Sequence, residues 1–188
     1  MKKGFTLIEL LIVIGILAIL ATTVVLVLNP AQILAESRDT QRVSDFSTIQ
    51  SAVSLLLSTA NTTINFSDYS SCTATGCTAV ALCGGRVTQA VPACVPNSIR
   101  AVDGLGWIKI DFSQTSGGSA LTNLPIDPVN SGTNYYTFVS NQTNTTYEIN
   151  TKLESTKYSS GGSSDKETPD GGNNNALYEV GNDPGLNL

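Results

Sequence analysis

The sequence predicts an α+β fold in which one long N-terminal helix packs on a small antiparallel sheet. Three observations predict it. Residues 5–28 form an apolar run interrupted by a single carboxylate, Glu9. Over residues 31–60 apolar side chains recur at three- and four-residue steps, the period of one helix face. Beyond Asn61 the chain is rich in Ser, Thr, Asn and Gly, and short segments alternate apolar and polar residues as half-buried strands do.

The first element is the apolar run. At about 1.5 Å per residue it is long enough to cross a hydrocarbon core of about 30 Å. A secretory signal peptide has an apolar stretch of only about 7–15 residues, and the one weak cleavage candidate, near Ala35, falls inside a continuing helix. Lys2 and Lys3 favour an N-terminus inside the cytoplasm with the rest of the chain outside. A plain anchor leaves Glu9 unexplained, because a carboxylate within a spanning helix costs about 2.5–3.5 kcal/mol on insertion scales. Glu9 therefore points to a state in which its charge finds a partner.

The string Lys2-Lys3-Gly4-Phe5-Thr6-Leu7-Ile8-Glu9, running into uninterrupted apolar residues, resembles the class III signal of the type IV pilin and type II secretion pseudopilin family. The strong resemblance covers roughly the first third of the chain, and the remainder matches in general layout. In that family a membrane peptidase cuts after the glycine and methylates the new N-terminal residue. The resemblance thus implies a leader of residues 1–4, a cut between Gly4 and Phe5, N-methylation of Phe5, and Glu9 as the acidic residue of assembly. It implies identical or related pilin subunits, the prepilin peptidase and a membrane assembly platform as partners. It also implies a single-pass precursor in the cytoplasmic membrane that becomes part of an extracellular filament. The physics is compatible: cutting after Gly4 exposes an amine on Phe5, and in a staggered bundle that amine can meet Glu9 of another subunit. In low dielectric such a pair attracts strongly, although desolvation offsets much of the gain.

The second element begins at Asn29-Pro30. Proline removes a backbone hydrogen bond and crowds the preceding turn, so a kink is expected at Pro30 within one helix spanning about residues 5–60. Gly15 is a second soft point. The segment 5–30 reads as the transmembrane and polymerisation part, and 31–60 as the amphipathic helix of the head. Its expected apolar stripe is Ile33, Leu34, Val43, Phe46, Ile49, Val53, Leu56 and Leu57. Glu36, Ser37, Arg38, Asp39, Gln41, Arg42 and Asp45 are expected to be solvated.

The head, residues 61–188, holds Cys72, Cys77, Cys83 and Cys94 within a loop of residues 72–94. An even count in a domain delivered outside the membrane argues for two disulfides with three connectivities. Sequential pairing closes two short loops and is preferred. Zinc is the competitor, but no Cys-x-x-Cys spacing occurs and the chain has no histidine. Strand signals follow at residues 106–112, 135–139 and 145–153, the last two close enough for a hairpin, with 177–180 as a further candidate. The sheet is placed within residues 105–153 and a Gly/Ser-rich C-terminal loop in 154–188. One sheet face is expected to bury the apolar stripe of the helix.

The segment from Leu124 to Asn130 resembles the Asp-Pro turn before a Tyr-rich strand in the major pseudopilins of type II secretion. In those proteins a later Ser/Asp/Gly loop binds calcium. Here Val129 replaces the family's usual tryptophan, and the later loop does not align cleanly. The resemblance puts forward Asp127, Asp165 and Asp170 as candidate calcium ligands, since calcium takes about 6–8 oxygen ligands. An ordinary solvated loop is the alternative, and no other cofactor is expected.

Function classes narrow accordingly. Without histidine the commonest general base is missing, and neither a phosphate-cradling loop nor a nucleophile elbow occurs, so an enzyme is the least favoured class. A formal charge of −5, more negative once Lys2 and Lys3 are removed, argues against a uniformly basic nucleic-acid groove. Asn61, Asn65, Asn141 and Asn144 match the N-glycosylation sequon, as matches arise by chance in a chain rich in Asn and Thr. The leading expectation is a structural subunit of a type IV pilus-like filament. The alternatives are a pseudopilin of a type II secretion or DNA-uptake apparatus, and a membrane-anchored surface binding domain.

Overall fold

The computed structural model describes residues 4–60, 64, 66–74, 77, 81–88 and 94–188; Lys2, Lys3, Asn61 and Asn65 lie outside them. Helix α1 spans Leu7–Leu28 and helix α2 spans Pro30–Thr59. The expected single helix with a kink at Pro30 is therefore two helices. The break is at Asn29, whose backbone is left-handed at φ 38°. Asparagine tolerates this conformation better than most residues. Asn29 ends α1 and caps α2, its carbonyl and side chain both accepting from the Gln32 N–H. Pro30 then begins α2 at a position where its missing N–H costs nothing. Through Gly15, by contrast, α1 runs unbroken.

Along α2 the buried residues are Ala35, Asp39, Arg42, Phe46, Ile49, Ala52, Val53 and Leu56. The stripe keeps helical phase but differs from the expected one at both ends, and at the C-terminal end Leu57, expected within it, is exposed. Ile33 and Leu34 are more than half exposed, whereas Asp39 and Arg42, expected in solvent, are fully buried. They stand seven and four residues before Phe46, on the same face, and the head closes over them.

Among the described residues five strands form one mixed sheet: β1 Tyr69–Cys72, β2 Val95–Pro96, β3 Thr137–Asn141, β4 Thr146–Thr151 and β5 Tyr178–Gly181, in the order β2-β1-β3-β4-β5. Only β1 and β2 run parallel; β3 and β4 form the expected hairpin, Asn141 facing Thr146. The sheet thus reaches beyond residues 105–153 on both sides. A short helix, α3, spans Ala81–Gly85.

The expected strand at 106–112 is not one. Its backbone groups are spent locally, with Trp107 N–H on the Ile99 carbonyl and Phe112 N–H on that of Val102. Gly106 sits so close to the Ala101 carbonyl that a Cβ would collide with it. Trp107 and Ile108 are both buried, which breaks the alternation, and the segment ends in a 3₁₀ turn over Phe112–Gln114.

The sheet is a middle layer. Phe46, Ile49, Val53 and Leu56 of α2 pack with Trp107, Ile110, Phe112, Tyr136, Phe138, Tyr147 and Ile149 in one core. Full burial of each such side chain contributes about 1.5–3 kcal/mol. Across the sheet a second cluster joins the four cysteines to Val87, Tyr135, Val139 and Leu188. Both faces being covered explains why every residue of β3 and β4 is buried.

Candidate functional site

Helix α1 has one physical peculiarity: none of the described residues covers it. Its described side chains are all exposed, among them Leu7 at 82% and Val27 at 81%. The stretch Leu7–Val25 is long and apolar enough to cross a membrane. Its two threonines return their hydroxyls to backbone carbonyls, Thr22 to Ile19 and Thr23 to Ile19 and Leu20, so their polar groups do not oppose an apolar surrounding. A helix apolar all round needs lipid or other helices against it.

Thr6 and Glu9 set the start of this helix. The Glu9 carboxylate accepts from the Thr6 N–H at 2.8 Å and the Thr6 hydroxyl at 2.7 Å, while Glu9 N–H donates back to Thr6 Oγ1 at 3.3 Å. This reciprocal cap satisfies donors that a helix start otherwise leaves open. Both bonds use Oε2, and among the described residues Oε1 has no partner. Gly4 and Phe5 precede the helix and are exposed, Phe5 at 86%. The bond between them is accessible, as sites of proteolysis generally are.

Arg42, which the sequence pattern placed in solvent, joins α2 to the head. Its guanidinium pairs with Asp39, Asp127 and Glu154. Burial opposes its charge, but the hydrogen bonds and charges of Asp127, Glu154 and Asp39 outweigh that and raise its pKa. Arg38 also binds Glu154, whose pKa is lowered first by that hydrogen bond and, against partial burial, by Arg42. Asp39 accepts from the Glu154 and Ser155 N–H groups at 2.7–3.1 Å, fastening the chain after β4. The signal available in the sequence was phase: Asp39 and Arg42 share the heptad face of Phe46, Ile49 and Val53.

The three candidate calcium ligands are used separately. Asp127 binds Arg42 and accepts from the N–H groups of Val129 and Asn130. Asp165 accepts from the N–H groups of Gly161, Glu167 and Thr168, which hold its pKa down at about 2. Asp170 accepts from Gly172 and Glu179. The structure does not bring them together.

Cys72 pairs with Cys77 and Cys83 with Cys94. The sulfurs of Cys72, Cys77 and Cys94 lie within 4.8 Å of one another, so the two bridges form one knot on the outer face of the sheet.

Residues 1–25 match the family model described as the prokaryotic N-terminal methylation motif. No curated protein and no solved structure matches the chain. The motif and the one apolar helix of membrane-spanning length among the described residues support the pilin and pseudopilin superfamily without selecting a subclass. Motif and fold together support a structural subunit carrying an N-terminal membrane-anchoring helix.

Proposed function

We propose that this chain is the structural subunit of a type IV pilus-like filament, made as a membrane precursor, cut between Gly4 and Phe5, methylated on Phe5 and polymerised through α1. The observation that carries the reading is α1 itself: an uncovered apolar helix with one carboxylate at its start. In the membrane, lipid surrounds this helix; in a filament, copies of it surround one another. The Thr6 cap lowers the cost of Glu9 in the precursor and leaves Oε1 available. After the cut, the Phe5 amine of a neighbouring subunit supplies the missing charge at that oxygen. A paired Glu9 then fixes the axial register between subunits, the best-attested role of a buried ion pair.

Glu9→Leu separates this reading from a solitary membrane anchor. An anchor tolerates leucine there, and membrane insertion of the variant is expected to be unchanged or improved. Fibre yield is expected to fall severely. Normal fibres from Glu9→Leu cells would contradict the charge-pairing role.

A further inference from the structure

Beneath the disulfide knot lies a cavity of about 290 Å³ whose lining holds two cations and no carboxylate. One is Arg86, which follows three left-handed residues, Cys83, Gly84 and Gly85, and is only 8% exposed. Its guanidinium lies 3.7 Å from the centre of the Tyr135 ring and donates to the carbonyls of Tyr135 and Thr133. The Tyr135 hydroxyl in turn donates to the Cys83 carbonyl, and the Arg86 carbonyl accepts from the Asn150 amide. Arg86 is thus held at both ends.

The second cation is Lys152, just past β4. Among the described residues, which include every aspartate and glutamate of the chain, neither Arg86 nor Lys152 forms an ion pair. Arg100, Lys109 and Lys166 form none either, but of these five cations only Arg86 is buried, where a charge is ordinarily paired. The other buried cation, Arg42, has three carboxylates. Burial works against the Arg86 charge and lowers its pKa, outweighing the favourable influence of Tyr135 and Asp127.

The chemistry of the missing partner follows from the donors. A guanidinium fork has more N–H groups than the two carbonyls use, and it matches a planar oxyanion. Lys152 adds a point charge. The Asn174 Oδ1 accepts from the Ala176 N–H, which leaves the Asn174 amide N–H groups for a ligand, and Ala176 and Leu177 add apolar surface. The volume lies just below the range of drug-sized sites, which begins at about 300 Å³, and so suits a smaller ligand. We propose that this cavity binds a carboxylate ligand of monosaccharide size, of the uronic-acid class, with its carboxylate between Arg86 and Lys152. The site belongs to the head and does not depend on filament assembly.

The test titrates the full chain in detergent micelles at low salt with sodium glucuronate, and in separate arms with glucose and inorganic phosphate, by calorimetry. Saturable glucuronate binding is expected, with phosphate weaker and glucose inert. Lys152→Gln, at an exposed position that leaves folding intact, is expected to weaken glucuronate about fivefold or more by removing a charge-assisted hydrogen bond. Arg86→Lys keeps the charge but loses the fork and is expected to weaken it by about tenfold. Lys166→Gln, at an exposed lysine outside the cavity, is expected to change nothing. Absence of saturable binding, binding that Lys152→Gln leaves intact, or equal affinity for phosphate would each overturn the proposal.

Discussion

The guanidinium of Arg42 donates to both carboxylate oxygens of Asp127, at 2.7 and 3.0 Å, with neither side chain exposed. The two residues are 85 positions apart, and their pairing fastens α2 to the turn that leads into β3. Asp39 and Glu154 complete the cluster, so α2 is bonded to the chain on both sides of the β3–β4 hairpin.

Arg42→Met should therefore destabilise the head severely. It leaves Asp39 and Asp127 buried without their cation, and breaking a buried pair costs about 3–5 kcal/mol. Arg42→Lys retains the charge but cannot serve three carboxylates, so it should fall between the variant and the parent. Trp107 is the only tryptophan and is fully buried, so its fluorescence reports unfolding in urea. A loss below about 1 kcal/mol, the scale of an exposed ion pair, would contradict the account.

Stability should rise as the pH falls from 8 towards 5. Glu179 is pushed up to about 8 by burial, with Glu148 and Asp170 adding to the effect. Glu148 is raised as well, chiefly by burial. A carboxyl whose folded pKa exceeds its unfolded value of about 4.3 keeps a proton that the unfolded chain has lost, so stability falls as pH rises through that window. Glu154 has the opposite sign, and its contribution is lost as pH falls through its lowered folded pKa. Melting temperatures across this range should be highest at its acidic end, at about pH 5. Glu179→Gln should flatten the alkaline side; an unchanged slope would contradict the assignment.

Cleavage between Cys77 and Cys83 without reduction should give two separately bridged peptides, one holding Cys72 and Cys77 and the other Cys83 and Cys94. Peptides that stay linked until reduced would show a crossed pairing. Reduction should lower stability by about 2–4 kcal/mol per bridge.

Calcium should leave the melting temperature of the full chain unchanged relative to chelator. A ligand that binds the folded state raises it by mass action, but Asp127 is committed to Arg42, and Asp165 and Asp170 to backbone N–H groups. A calcium-dependent rise would mean that these carboxylates exchange partners for metal.

Much of the architecture was legible because it rests on periodicity. The hairpin of β3 and β4 and the strand β5 have alternating or β-branched sequences, and α2 carries its stripe at helical spacing. Strand β1, Tyr-Ser-Ser-Cys, and the two-residue β2 have no such pattern; β1 is a strand because it pairs with β3. Residues 106–112 carried the alternation without the pairing, since a loop closed by Gly106 takes up their hydrogen bonds. Asp39 and Arg42 were misplaced because their residue type argued for solvent while their phase argued for the core. Long-range partners decided for phase. The start of α1 was legible from local residues alone, because Thr6 and Glu9 are three apart and cap each other.

The most direct test of the filament reading is the N-terminus of the chain in purified surface fibres, read by mass spectrometry. The account predicts a terminal peptide that begins at Phe5 and carries one added methyl group on its amine. Fibres whose subunits still begin at Met1 would contradict it.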